Sequence, residues 1–255
     1  MTSHARPSGR TAQALVAVVT AKPFRSAKAR LSAALAEPLR ARLAAAMLAD
    51  TLEVLATTLP PEAIVAVVGD DAGAEVARSH GVNVVRDEHL GGQSEAALLG
   101  ARVARRELRA RTVVILPADV PALTGEDLAA LVEAANRDAI VIVPDRHGSG
   151  TNALALTPPD ALQPAFGPDS LERHCRLARC TGRSWRILRL RSLALDIDTP
   201  GDLAELARVL AGRPERGRTA RVLAEIAATD AGAAGQEVSS SQLPSEPPSS
   251  SRVGR

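Results

Sequence analysis

Ala14-Leu15-Val16-Ala17-Val18-Val19-Thr20, running straight into Ala21-Lys22-Pro23-Phe24-Arg25-Ser26-Ala27-Lys28-Ala29-Arg30-Leu31, decides how this chain folds. An unbroken apolar run with β-branched residues suits a strand buried on both faces, the habit of parallel sheets. Outward from it, strand and helix patterns alternate. Pro38 opens a helix through about Thr57, with Leu39, Leu43, Met47, Leu48, Leu52 and Leu55 at helical spacing. Residues 63–68 read as a second strand, 71–79 as a short helix and 82–85 as a third strand. Ser94 is read as the cap of a helix reaching about Ala110, and 112–116 as the fourth strand. Thr124 with Asp127 forms a capping pattern ahead of another helix, and 139–143 is the next strand. This alternation predicts an α/β fold built on a largely parallel sheet.

Beyond Pro144 the rhythm changes. A glycine-rich loop, 147–150, precedes a short strand at 152–156. A helix over 169–180, a strand over 185–190 and an extended stretch over 193–197 follow, and Thr199-Pro200 starts a helix ending near Leu210. This half is expected to add antiparallel strands to the sheet. A helix over 219–228 has no evident docking face, and Trp185 reads as a core residue.

The chain has 255 residues and a formal net charge of +2, too balanced to point to nucleic acid. No apolar run approaches the roughly 20 residues of a spanning helix, and residues 14–19 are too short for a signal-peptide core. Cys175 and Cys180 match neither a zinc spacing nor a redox pair, so reduced thiols and a cytoplasmic protein without membrane attachment are expected. Residues 1–12 read as a flexible N terminus and 13–212 as one folded domain. Residues 213–255 read as a largely disordered extension, since the Ser- and Pro-rich stretch from Gly235 cannot bury enough apolar surface to offset its ordering entropy.

Lys22 and Lys28 are the only lysines in a chain that otherwise uses arginine, and both fall in the loop after the first strand. In open α/β sheets ligands sit outside the carboxyl ends of the strands. Four cations in ten residues at such a place suit a triphosphate and a departing pyrophosphate, although the loop is neither a Walker loop nor a dinucleotide fingerprint. A solvated basic loop is the competing reading. Asp119, in Leu116-Pro117-Ala118-Asp119-Val120-Pro121, follows a strand at the same edge, where a carboxylate can hold Mg²⁺ or serve as a turn residue. In Leu195-Asp196-Ile197-Asp198-Thr199-Pro200 the two aspartates share one face of an extended segment, and their repulsion asks for a cation. Capping by Asp198 is the alternative there. Gly148-Ser149-Gly150-Thr151-Asn152 and Phe166-Gly167-Pro168-Asp169-Ser170 offer backbone N–H groups and hydroxyls to an anion. His80, His89, His147 and His174 form no ligand spacing.

Together these motifs resemble the 2-phospho-L-lactate and phosphoenolpyruvate guanylyltransferases of coenzyme F-420 biosynthesis. The resemblance rests on Lys22-Pro23-Phe24 with Lys28-Ala29-Arg30-Leu31, on Asp119-Val120-Pro121 and on Gly150-Thr151-Asn152 with Ala153-Leu154. Phe166-Gly167-Pro168-Asp169-Ser170 with His174, and Leu195 to Pro200, complete it; the match runs over about residues 14–210. It implies a single Rossmann-like nucleotidyltransferase domain of the nucleotide-diphospho-sugar transferase type. It implies GTP and a small phosphorylated acid as partners, with Thr151, Gly167 and Ser170 holding the acid. Asp119, Asp196 and Asp198 would bind Mg²⁺. Lys22, Lys28 and Arg30 would face the GTP phosphates, with Gly92 and Ser94 beside the nucleotide; a homodimer is compatible with this scheme. One departure bears on the base: the family carries Gly-Leu-Asn where this chain has Gly92-Gln93-Ser94, closer to molybdenum-cofactor nucleotidyltransferases. A sugar-phosphate nucleotidyltransferase and a non-catalytic nucleotide-binding regulator are the other readings.

Overall fold

The computed structural model describes residues 14–212 and 217–228; the expectations for the N terminus and for the tail from Gly235 fall outside them. Seven strands form one sheet: β1 (Leu15–Ala21), β2 (Ile64–Val68), β3 (Asn83–Arg86), β4 (Thr112–Pro117), β5 (Ile140–Pro144), β6 (Thr151–Leu156) and β7 (Trp185–Ile187). Their order is β3-β2-β1-β4-β6-β5-β7. The apolar run that opens the chain lies centrally, with Val16 to Val19 fully buried. Val16 and Val18 point into one apolar cluster, Ala17 and Val19 into the other, the period-2 alternation of a strand covered on both faces.

Helices cover both faces: α1 (Glu37–Ala56), α2 (Asp71–Ser79), α3 (Gln93–Arg106), α4 (Gly125–Arg137), α5 (Ser170–Thr181), α6 (Arg191–Ala194), α7 (Pro200–Ala211) and α8 (residues 218–228). Gly100 lets α3 lie against the sheet, for a Cβ there would sit 2.3 Å from Val18 Cγ1. None of the described helices is long and apolar enough to cross a membrane.

Among the described residues only one strand runs antiparallel, rather than several. β6 pairs antiparallel with β4 and β5, whereas β7 pairs parallel with β5. The short hairpin over 145–150 forces β6 to reverse; after α5 the chain reverses once more, so β7 runs in the direction of β5. The β5–β6 register shifts between Val143 and Pro144, which pair with Ala153 and Thr151 and leave Asn152 as the bulged residue.

Other local expectations change as well. The cap of α3 is Gly92, at φ +93°, and Ser94 lies inside the helix with its hydroxyl donating to the Phe166 carbonyl at 3.4 Å. That helix ends at Arg106, short of Ala110, and β7 ends at Ile187, short of Leu190. Residues 191–194 form a helical turn, so the stretch expected to be extended over 193–197 is helical at its first two residues; the Asp127 carboxylate holds the turn by accepting from the Ser192 N–H and hydroxyl at 3.0 and 2.7 Å. Trp185 is half-buried, with Arg179 over its ring, instead of central in the core. Finally, α8 has a docking face. Val222, Leu223 and Ile226 are buried in the cluster that contains α1, and Asp50 accepts from the Arg218 and Thr219 N–H groups at 2.9 and 2.8 Å. The packed chain therefore continues past residue 212.

Candidate active site

From β1 the chain passes to β2 on one side, and β4 flanks β1 on the other, so the sheet divides between the carboxyl ends of β1 and β4. Such a division is where open α/β sheets bind ligands. A cavity of about 330 Å³ opens there, large enough for a small-molecule site, and Thr20, Lys22, Lys28, Asp119, Asp196 and Asp198 are among its walls.

The loop after β1 is held by apolar anchors and by one carboxylate. Phe24, Ala27 and Leu31 are buried, and Phe24 and Ala27 border the cavity beside Ala44 and Met47 of α1. Asp70 accepts from the Phe24 N–H with one oxygen and caps α2 through the Gly73 N–H, at 2.8 Å, with the other. Thus fastened, the chain turns through a left-handed conformation at Lys28, φ +57°, and sends its side chain inward. That side chain is only 5% exposed; the ammonium is ion-paired to Asp119 and lies 3.7 Å from Asp198 Oδ1. Arg30 reaches Asp198 from outside, at 3.0 Å, with its own side chain 75% exposed. Lys22 lies exposed at the cavity wall. The expected cations thus divide. Lys28 and Arg30 neutralise carboxylates, and Lys22 lines the cavity apart from those ion pairs.

Leu195 and Ile197 are buried while Asp196 and Asp198 both face the cavity, which is the alternation expected of the extended segment. The Asp202 carboxylate fixes this strip. It accepts from the Asp198 and Thr199 N–H groups at 2.9 and 2.6 Å, pairs with Arg146 and completes a capping box with Thr199. Thr199, not Asp198, therefore caps α7. Burial alone would raise the Asp202 carboxyl, but those backbone N–H groups, the Thr199 hydroxyl and the Arg146 charge outweigh it and hold the group below the usual carboxylate range.

Asp196 has the opposite fate. Burial and then the neighbouring charge of Asp119 push its carboxyl up; the Asn152 amide, donating at 3.3 Å, opposes them, and Asp198 raises it further. Asn152 had no assigned role in the sequence reading. The bulge in β6 aims it at the cavity, where its amide also donates to the Leu193 carbonyl at 2.9 Å. Set against Asp119, Asp196 and Asp198, the two cations Lys28 and Arg30 leave one carboxylate charge uncompensated. A strip of hard oxygen donors short of one positive charge fits a divalent cation that takes one or two protein carboxylates and shares its remaining positions with phosphate and water. Among the described residues, however, no three acidic, histidine or cysteine side chains form a ready-made metal cage.

The farther wall of the cavity holds two residues that had been passed over, Asp87 and Leu90, beside the Gly92-Gln93 pair already noted as bearing on the base. Asp87 stands directly after β3 as Asp119 stands shortly after β4, and the reasoning that singled out Asp119 applied equally to it. Ser94 is absent from this wall, being turned to Phe166.

Comparison with known proteins decides the family. Residues 15–222 match the model of the family described as guanylyl transferase CofC like. This chain belongs to it. A phosphoenolpyruvate guanylyltransferase of Conexibacter woesei is 40% identical over 200 residues, spanning 77% of this chain and 89% of its own. A 3-phospho-D-glycerate guanylyltransferase of Phenylobacterium zucineum is 34% identical over 213 residues, spanning 82% and 95%. The fold is shared with a solved structure assigned as a nucleotide-diphospho-sugar transferase from Desulfovibrio desulfuricans, with a TM-score of 0.68 at 18% identity over 84% of this chain and 95% of that one. The protein is accordingly a nucleotidyltransferase of Rossmann-like architecture.

In this guanylyltransferase the positions expected to hold the acid form a separate knot, outside the cavity walls. Thr151 and Ser170 are almost fully buried at the starts of β6 and α5. Ser170 Oγ accepts from the Thr151 N–H at 2.9 Å, and Thr151 Oγ1 meets His174 Nδ1 at 2.9 Å. His174 Nε2 accepts from the Ala165 N–H at 2.8 Å, so the ring proton resides on Nδ1 and points at Thr151. Gly167 lies exposed at φ +112° on the approach to α5.

Proposed function

We propose that the protein transfers GMP from GTP to the phosphate of a three-carbon acid, releasing pyrophosphate. The acid is phosphoenolpyruvate, 2-phospho-L-lactate or 3-phospho-D-glycerate, and the setting is coenzyme F-420 biosynthesis in the cytoplasm. The observation that carries this reading is the strip Asp119–Asp196–Asp198, tied to the loop after β1 through Lys28 at the mouth of a nucleotide-sized cavity. The acceptors named for the relatives support it.

The chemistry is an in-line displacement. A phosphate oxygen of the acid forms a bond to the α-phosphorus as the bond from that phosphorus to the bridging oxygen breaks, and pyrophosphate departs as an anion. The nucleophile is already ionised at neutral pH, so no general base is called for. What opposes reaction is repulsion between two polyanions, and catalysis is then positioning with charge compensation. Lys22 would attract the triphosphate. Lys28 holds Asp119 and Asp198 in place and keeps the loop closed against them. Asp119, Asp196 and Asp198 would hold Mg²⁺, which when bound supplies Lewis-acid stabilisation of the phosphoryl oxygens. The acid would lie next to Asn152, on the segment that Thr151 and Ser170 fix from behind through their hydrogen bonds rather than by direct contact.

Incubation with GTP, Mg²⁺ and each acid in turn, with pyrophosphate measured, tests the reading. Pyrophosphate should appear only with an acid present and in step with its consumption. Thr151→Ala and Ser170→Ala should raise KM for the acid well above any change for GTP. Release without an acid, or failure with all three, would overturn the assignment.

A further inference from the structure

The cavity has two chemically different ends. One, at β1 and β4, carries the lysines and aspartates. The other lies at the carboxyl ends of β2 and β3 and the start of α3, where Asp87, Leu90 and Gln93 form the wall. We propose that this second end reads the guanine base, with the Asp87 carboxylate accepting from the ring N1–H and the exocyclic amine, and Gln93 donating to the ring carbonyl. The inference rests on GTP being the nucleotide, as proposed above.

Placement comes first. From β1 to β3 is two strand spacings, about 10 Å. A ribose and a purine bridge such a distance, so a nucleotide with its phosphates at β1 brings its base to β3. Polarity comes second. The hydrogen-bonding edge of guanine presents two neighbouring donors and a carbonyl, whereas adenine presents an acceptor between its amine and a C–H. An ionised carboxylate only accepts, so it satisfies guanine and repels adenine. Asp87 is held for this task, since its Oδ1 accepts from the Leu90 N–H at 3.1 Å and its remaining lone pairs stay available.

Leu90 supplies the third part. It is 53% exposed and adopts φ +48°, a left-handed conformation costly for a leucine and not repaid by burial. Its side chain and Pro23 flank Gly69; a Cβ on that glycine would lie 2.9 Å from Leu90 Cδ2 and 2.5 Å from Pro23 Cδ. The two apolar side chains form a ledge along the cavity on which a purine face can rest. Gln93, at the first turn of α3, adds a donor at this wall.

The test is calorimetric titration of the full-length protein with GTP, ATP and xanthosine triphosphate, with no acid present, on the wild type and Asp87→Asn. Asparagine keeps the acceptor for the Leu90 N–H, so the turn survives; an unchanged melting temperature verifies that. The wild type should prefer GTP over ATP. Asp87→Asn should weaken GTP by roughly 100-fold and gain affinity for xanthosine triphosphate, which offers a carbonyl where guanine offers its amine. GTP and xanthosine triphosphate affinities that match the wild type's would overturn the base assignment and leave the GTP reading standing. A wild type that binds GTP no better than ATP would overturn both.

Discussion

His174 offers a test that does not depend on substrate. Its ring is fully buried, packs edge-on against Phe166 at 5.2 Å and uses both nitrogens, accepting at Nε2 and donating at Nδ1. A second ring proton would meet the Ala165 N–H head on. Burial first, and the charge of Arg173 second, bring its pKa down from 6.5 to about 4. The sign follows from linkage. A depressed folded pKa means that the unfolded chain binds the proton more readily, so stability is full above 6.5, falls as the pH drops towards 4 and changes no further below that. At about 1.4 kcal/mol per decade the full effect is about 3 kcal/mol, of which about 2 kcal/mol is lost by pH 5. Urea unfolding of the wild type and of His174→Gln, at pH 8 and pH 5, isolates the term because the other titrating groups are common to both. The stability gap between them should shrink by about 2 kcal/mol at the lower pH. An equal gap at both values, or a His174 resonance titrating near 6.5, would refute the neutral buried imidazole.

Asp202→Ala removes the acceptor for the Asp198 and Thr199 N–H groups and the partner of Arg146. It should cost about 3 kcal/mol and lower kcat as Asp198 loses its place; a melting curve and steady-state kinetics read both, and an unchanged kcat would show that Asp198 is positioned by other contacts. Ending the chain at Gly212 strips Val222, Leu223 and Ile226 from the core and should cost on the order of 5 kcal/mol, whereas ending it at Ala228 should leave the melting temperature unchanged. Gly100→Ala drives a methyl into Val18 and should destabilise by about 1–3 kcal/mol without altering KM for either substrate.

Much of the frame was legible because it is written in short-range terms. The apolar run at 14–20, the helical spacing of 39–55 and the Thr124 cap each depend on neighbours within a few residues. So did the alternation that turns Asp196 and Asp198 to one side of Ile197. What lay hidden was held by partners far along the chain. Lys28 looks like a phosphate ligand until Asp119, 91 residues later, is brought against it. The turn at 191–194 is set by Asp127, and α8 is capped by Asp50 from the middle of α1, 168 and 169 residues away. Thr151 and Ser170 read as free hydroxyl donors because nothing local announces that His174 and a backbone N–H will engage them. Asp87 is a different case, since its place after a strand was visible and only its partner surface was not.

The reversed direction of β6 shapes what this architecture can become. Every other strand brings its last residues to the ligand-bearing rim, so the loop that follows must also lead into the next structural element. β6 arrives there with its first residues, Thr151 and Asn152, after a hairpin over 145–150 that joins it to β5 and is tied to its surroundings through Arg146 and Ser149. The tip of that hairpin, at His147 and Gly148, can gain or exchange residues while Arg146 keeps its partner Asp202 and the β4–β6 and β5–β6 ladders stay in register behind it. The rim is therefore modular. Its β1–β4 side is constrained by the crossovers that build the sheet, and its β6 side can be rewritten as a local edit, so one half of a two-substrate surface can change its ligand while the other keeps its own.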